Sequence, residues 1–230
     1  MRFQSEVCTF MRVKFGVAAI GSVVLAMLSG CVVNAPPQSE RTPDGLVRRP
    51  SQQIDMVFVA PGASLAAYQR VILDPVNLAF KLDWQQRNPD VSASDVARIR
   101  SQGAAVFHEI FSNALTMQHG YPITMQPAPD TLRVSASLTE LDVSAAPGTA
   151  GNQRMFIVSP SDLTLTLELR DSQSGALLAR AIDKEKGRTF GNLKVEGSVE
   201  NSAEARRALD MWAGLLRAAL DNARGTPQAP

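Results

Sequence analysis

Histidine and cysteine are nearly missing from this sequence: two of each occur among 230 residues. A structural zinc site draws four ligands from Cys and His. With Cys8 in or before the leader described below, only Cys31, His108 and His119 remain, too few for one, so no metal is expected. Charge of one sign is missing too. Lys and Arg total 23 against 22 Asp and Glu, for a net charge of +1, and no basic run occurs. Nucleic acid is therefore not expected as a partner. Catalytic signatures are also lacking. There is no G-x-S-x-G, no glycine-rich phosphate loop and no H-E-x-x-H, so neither a cofactor nor an enzymatic activity is expected. His108 and Glu109 are neighbours on a helix, where their side chains diverge and cannot form a dyad. His119, before Gly120 at a helix end, complements the helix dipole. No internal repeat is present.

Long apolar runs are missing as well. The most apolar stretch, Gly16 to Leu28, is 13 residues, whereas a permanent span needs about 20. That length suits the apolar region of a secretory signal peptide, with Arg12 and Lys14 as its positive flank. Leu28-Ser29-Gly30-Cys31 then resembles the bacterial lipobox. The pattern implies cleavage between Gly30 and Cys31 and acylation of Cys31 by diacylglycerol and a further acyl chain, palmitate being typical. Starting at Met11 gives a more ordinary signal than starting at Met1. Cys8 then falls in or before the leader, Cys31 is the sole remaining cysteine, and no internal disulfide is expected. Val32-Val33 follow the cysteine where an aspartate would favour retention in the inner membrane. The expected destination is the periplasmic face of the outer membrane, with lipid as the membrane partner.

Residues 31–53 contain Pro36, Pro37, Pro43 and Pro50 with little apolar periodicity, and read as a lipidated cysteine and linker. Residues 54–224 read as one domain, and 225–230 as a tail. Strands are expected over 54–59, 69–73, 76–82, 131–143, 163–169 and 176–184, with a further short one at 123–125. Pro75 marks an edge or a bulge. In the long strand Leu132, Val134, Ala136 and Leu138 alternate with polar residues, but the phase slips at Leu141 and Val143. A bulge near Glu140 accounts for that. Two amphipathic helices are expected over 94–118 and 201–223. The first has Ser92 or Ser94 as its cap and Gly103 on its apolar face. The second presents Ala208, Leu209, Trp212 and Leu216. The order implies an α+β two-layer sandwich, a mostly antiparallel sheet with both long helices on one face.

Trp84 and Phe190 are candidate exposed aromatic anchors for a protein partner. The charged run Asp183 to Arg188 reads as a solvated strand edge. With anchor and layout in place, three stretches resemble the bacterial lipoprotein family known as domain of unknown function 3313. They are "DGLV" (44–47), "VFVAPGASLAAYQRVILDPV" (57–76) and "DMWAGLLRAALD" (210–221). The second is similar to an "rPGadlsaYdkvmlDPV" pattern. The resemblance covers roughly residues 44–223 and carries no catalytic residues. It implies an uncharacterised envelope lipoprotein. The expected function is that of a non-enzymatic, lipid-anchored accessory or assembly factor that docks an envelope protein. The alternative is a periplasmic binding module for a small apolar ligand, lipid or glycan.

Overall fold

A computed structural model of the chain describes residues 41–145, 156–159, 162–185 and 198–225. Eight strands and three helices occur among them. The strands are β1 (Val47–Arg49), β2 (Met56–Val59), β3 (Arg70–Leu73), β4 (Asn77–Phe80), β5 (Thr131–Ala145), β6 (Phe156–Ser159), β7 (Thr164–Asp171) and β8 (Leu177–Lys184). The helices are α1 (Trp84–Arg87), α2 (Ala93–Thr116) and α3 (Ser198–Arg224). The sheet runs β1-β2-β8-β7-β5-β3, with β4 and β6 also paired to β5.

The α+β sandwich is as expected, but the sheet is mixed. β3 and β4 both run parallel to β5, while its partners β6 and β7 are antiparallel. Parallel pairing requires a crossover, and the segment containing α2 supplies it between β4 and β5. β3 and β4 lie one after the other along one side of β5, interrupted at Asp74-Pro75-Val76. Proline has no N–H to give a ladder, so the interruption at an edge is where it is tolerated. Ile123 forms only an isolated bridge to Val71 rather than a strand.

The slip near Glu140 is present. Glu140 has φ of 60° and the β4–β5 register shifts beside it, between Leu78 and Phe80. Because side chains alternate faces with period two, one extra residue turns Leu141 and Val143 to the face already carrying Leu132, Val134, Ala136 and Leu138. All six are buried. Leu163, Leu165, Leu167 and Leu169 bury the same face alongside them.

The helices cover that face. Ser92 caps α2 with a reciprocal pair: its hydroxyl accepts from the Asp95 N–H at 3.1 Å, and the Asp95 carboxylate accepts from the Ser92 N–H at 3.2 Å. Such a box satisfies two otherwise orphaned donors. α2 buries Ile99, Phe107, Ile110, Phe111 and Leu115, and α3 buries Ala208, Leu209, Trp212, Ala213, Leu216 and Leu220. The expected face of α2 extended to Met117, but the helix has ended there and Met117 is exposed.

Two expectations change at the N-terminal side. Residues 41–53 are not simply linker. β1 pairs with β2, and Leu46 is buried inside the segment "DGLV". One buried leucine between Gly45 and a partly exposed Val47 carries no periodicity, so composition alone hides it. The run beginning at Asp183 is not all solvated edge either. Asp183 lies on the core face of β8, where it accepts from Trp212 Nε1 at 2.7 Å and from the Asp55 N–H at 2.9 Å.

On the opposite face of the sheet, Arg180 bridges Glu168 and Asp44. The Thr42 hydroxyl and then Arg180 draw the Asp44 carboxyl down from 3.8 to about 2. Burial opposes ionisation of Glu168, but Arg170 and Arg180 outweigh it and hold its carboxyl low. A carboxylate depressed in the fold stabilises it above its unfolded pKa, and that contribution is lost as pH falls through the folded value. Arg180→Gln should therefore be less stable than the parent at neutral pH. The difference should shrink as pH falls from about 4 toward 2. Urea unfolding of both chains across that range checks it; a constant difference would show that Arg180 acts through packing alone.

Candidate functional site

The cleft worth building from its residues lies between α2, α3 and the sheet. Its volume is about 240 Å³. Leu78 of β4, Leu138, Leu141 and Val143 of β5, and Leu163 before β7 form one side. Ile99, Gln102, Gly103 and Val106 of α2 and Ala205, Arg206 and Leu209 of α3 form the other. The Glu140 bulge makes this floor, since without it Leu141 and Val143 would face away. Gly103 lines the wall: a Cβ there would lie 2.8 Å from Leu78 Cδ1, so a larger residue would have to push the end of that side chain aside. Among the described lining residues only Gln102 and Arg206 have polar side chains, and both are exposed. Among the described residues the lining includes no carboxylate, hydroxyl, thiol or imidazole. Such a site can hold an apolar group away from water.

Trp84, expected from sequence as an anchor, does not line the cleft. Trp84 is 1% exposed, so it is no surface anchor. α1, one turn after β4, folds it inward. There it stacks on Phe80 with centroids 4.2 Å apart and donates from Nε1 to the Val143 carbonyl at 2.7 Å. That bond braces the part of β5 that floors the cleft. Cys31 and Phe190 lie outside the described residues. His108 and His119 are exposed and neither lines the cleft.

Charged groups elsewhere are engaged with one another. Asp83, Arg87, Asp142, Lys81, Asp162 and Lys184 alternate in an unbroken chain of ion pairs with separations from 2.7 to 3.5 Å. Lys81 and Lys184 hold the Asp162 carboxyl below its usual range, and Asp162 in turn raises Lys81. Tyr68 is pushed up to about 12, by burial first and then by its hydrogen bond to Asp171. A phenol so held stays protonated and is no nucleophile at neutral pH. Among the described residues no group of three or more metal-ligating side chains is placed to hold an ion, and no helix is long and apolar enough to cross a membrane.

Sequence reasoning missed Arg217. Its Nη1 donates to the carbonyls of Ala114, Leu115 and Met117 at 3.2, 3.1 and 2.8 Å, and its Nε donates to Asp221 at 2.8 Å. It closes the C-terminus of α2 from a helix about 100 residues away. The sequence signal was Gly120, read as a helix stop. Its role here is spatial: a Cβ at Gly120 would meet the Leu115 carbonyl at 2.0 Å and Arg217 Nη1 at 2.2 Å.

No curated protein sequence matches the chain. Among solved structures it is similar to a PelC dodecamer from Paraburkholderia phytofirmans in space group P6. The identity is 17% over 67% of this chain and 96% of that one, and the TM-score is 0.35. It is also similar to a variant of PelC from the same organism in space group C2, at 16% identity over 70% of this chain and 95% of that one, with a TM-score of 0.33. The family model described as "Protein of unknown function (DUF3313)" matches residues 41–216, which takes in every strand and helix from β1 through most of α3. The chain belongs to that family.

Proposed function

We propose that this chain is a lipid-anchored bacterial envelope lipoprotein, held through Cys31 at the periplasmic face of the outer membrane. Its folded domain is a non-enzymatic binding module that takes an apolar group into the cleft between α2 and α3. The observation that carries the binding reading is the cleft itself: about 240 Å³ and walled, among the described residues, mainly by aliphatic side chains. Its size is below the roughly 300–1,000 Å³ of typical small-molecule sites. It is above the roughly 150 Å³ of an apolar cavity that accepts benzene. One slim apolar group fits that range. A glycan needs many polar partners, and Gln102 and Arg206 alone do not supply them.

Titration with the neutral probe N-phenyl-1-naphthylamine tests this reading. The full chain carrying Cys31→Ser, which removes the acylation site, should bind one probe saturably. Val106→Phe, which places a ring in the cleft, should abolish that binding while the circular dichroism stays that of the parent. Absence of saturable binding to the parent would end the apolar-cleft reading. For the anchor, radiolabelled palmitate should enter the parent and not Cys31→Ser.

Docking of an envelope protein is the second reading. It is favoured by Leu82, whose side chain is fully exposed beside the ion-pair chain. Crosslinking the anchored protein in cells should capture one envelope protein that Leu82→Ser fails to capture. Equal capture by both chains would remove Leu82 from any such surface.

A further inference from the structure

We infer that the natural occupant of the cleft is a single-chain anionic amphiphile, such as a fatty acid or a lysophospholipid, with its tail among the leucines and its head group at Arg206. This rests on the apolar-cleft reading and adds the chemistry of the head group. Three observations lead to it. The interior is aliphatic, so the buried part of the ligand is a hydrocarbon chain. The volume of about 240 Å³ admits one slim chain rather than the two of a diacyl lipid. Arg206 is the only charged residue among the described lining residues, and it is exposed.

The charge at Arg206 is also uncommitted. Half of the described arginines are tied to a carboxylate, as Arg70 is to Asp130, Arg98 to Asp95, Arg133 to Asp74 and Arg180 to Glu168. Arg206 forms no ion pair with a described residue. Asp210 lies one turn along the same helix and is not paired with it. Gln102, on α2, adds a second hydrogen-bonding side chain to the lining. A guanidinium offers a planar fork of donors that matches a carboxylate or a phosphate. Its methylenes can cover apolar surface while the charge stays in water. An apolar slot whose described lining carries a cation at Arg206 and no carboxylate is complementary to an anion on a hydrocarbon tail rather than to a cationic head.

Isothermal titration calorimetry on the full Cys31→Ser chain, at low salt and below micellar concentrations, decides it. Four probes share a twelve-carbon tail: laurate, 1-lauroyl-lysophosphatidylglycerol, dodecanol and dodecyltrimethylammonium. At least one of the two anions should bind with one-to-one stoichiometry, at least about fivefold more tightly than dodecanol, and the cation more weakly still. Arg206→Glu, a surface change that leaves the core intact, should weaken the bound anion about fivefold and dodecanol by less than about twofold, the range of an exposed ion pair. Added salt should narrow the gap between anion and alcohol. Laurate binding more tightly identifies a carboxylate head, and the lysolipid binding more tightly identifies a phosphate head; either supports the inference. Equal affinity for dodecanol and the anions, or no effect of Arg206→Glu, would overturn the anionic assignment and leave the apolar cleft standing. No binding by any probe would overturn both.

Discussion

Trp212→Ala should lower stability by about 5 kcal/mol and the melting temperature by about 10–20 °C. Trp212 is 2% exposed and is among the largest buried side chains. Truncating such a residue costs about 3–5 kcal/mol in lost transfer and residual cavity. A second loss adds to it. Nε1 of Trp212 donates to Asp183 at 2.7 Å, and Asp183 is itself only 7% exposed. Without the indole that carboxylate keeps only the Asp55 N–H at 2.9 Å among these two donors, and a buried acceptor left short costs about 1–3 kcal/mol. Trp212→Phe separates the terms. It keeps most of the volume, removes the donor, and should cost about 1–3 kcal/mol. Combined with Asp183→Ala, its cost should fall short of the sum of the single changes, because the two share one contact. Domains of this kind hold about 5–15 kcal/mol in total, so Trp212→Ala removes a third or more of that stability. Melting within a degree or two of the parent would show that α3 is not docked through this residue.

Arg217→Ala should cost about 3 kcal/mol or more, measured by urea unfolding. Three carbonyls at the end of α2 lose a shared charged donor, and Asp221 loses its cation. Asp221 also accepts from the Tyr121 hydroxyl at 3.0 Å, so the loss spreads to a ring that is fully buried. Arg217→Lys should recover little. An ammonium is a point donor and cannot reach the α2 carbonyls and Asp221 at once. Gly120→Ala should be as damaging as Arg217→Ala, because its methyl would displace the guanidinium from the carbonyls. The two substitutions together should cost little more than either alone, since they remove the same cap. Additive losses would show that Gly120 serves some other end.

Much of this architecture was legible because local rules govern it. The phase slip in "SASLTELDV" located the bulge at Glu140, as period two leaves no other way to bury both halves of β5 on one face. Pro75 announced an edge because it lacks an N–H, and Ser92 with Asp95 announced a helix start. β6 and α1 were missed. Each is four residues long, too short for a period to register. Trp84 was misread for the same reason. A lone tryptophan beside Asp83 has no pattern to say which way it faces, and only the turn of α1 against Phe80 buries it.

By itself the sequence determined the class of the domain, the two long helices, the alternation that builds one apolar face of the sheet, and the resemblance that places the chain in its family. These depend on spacing within a few residues. Only the tertiary structure decided the parallel placement of β3 and β4 on β5, the Arg217 cap and the bond from Trp212 to Asp183. It also decided the cleft, where Leu78, Gly103, Leu141 and Leu209 meet from four elements. Those contacts join residues tens to about a hundred positions apart. Their partners are chosen by how the layers pack, and no local period records that choice.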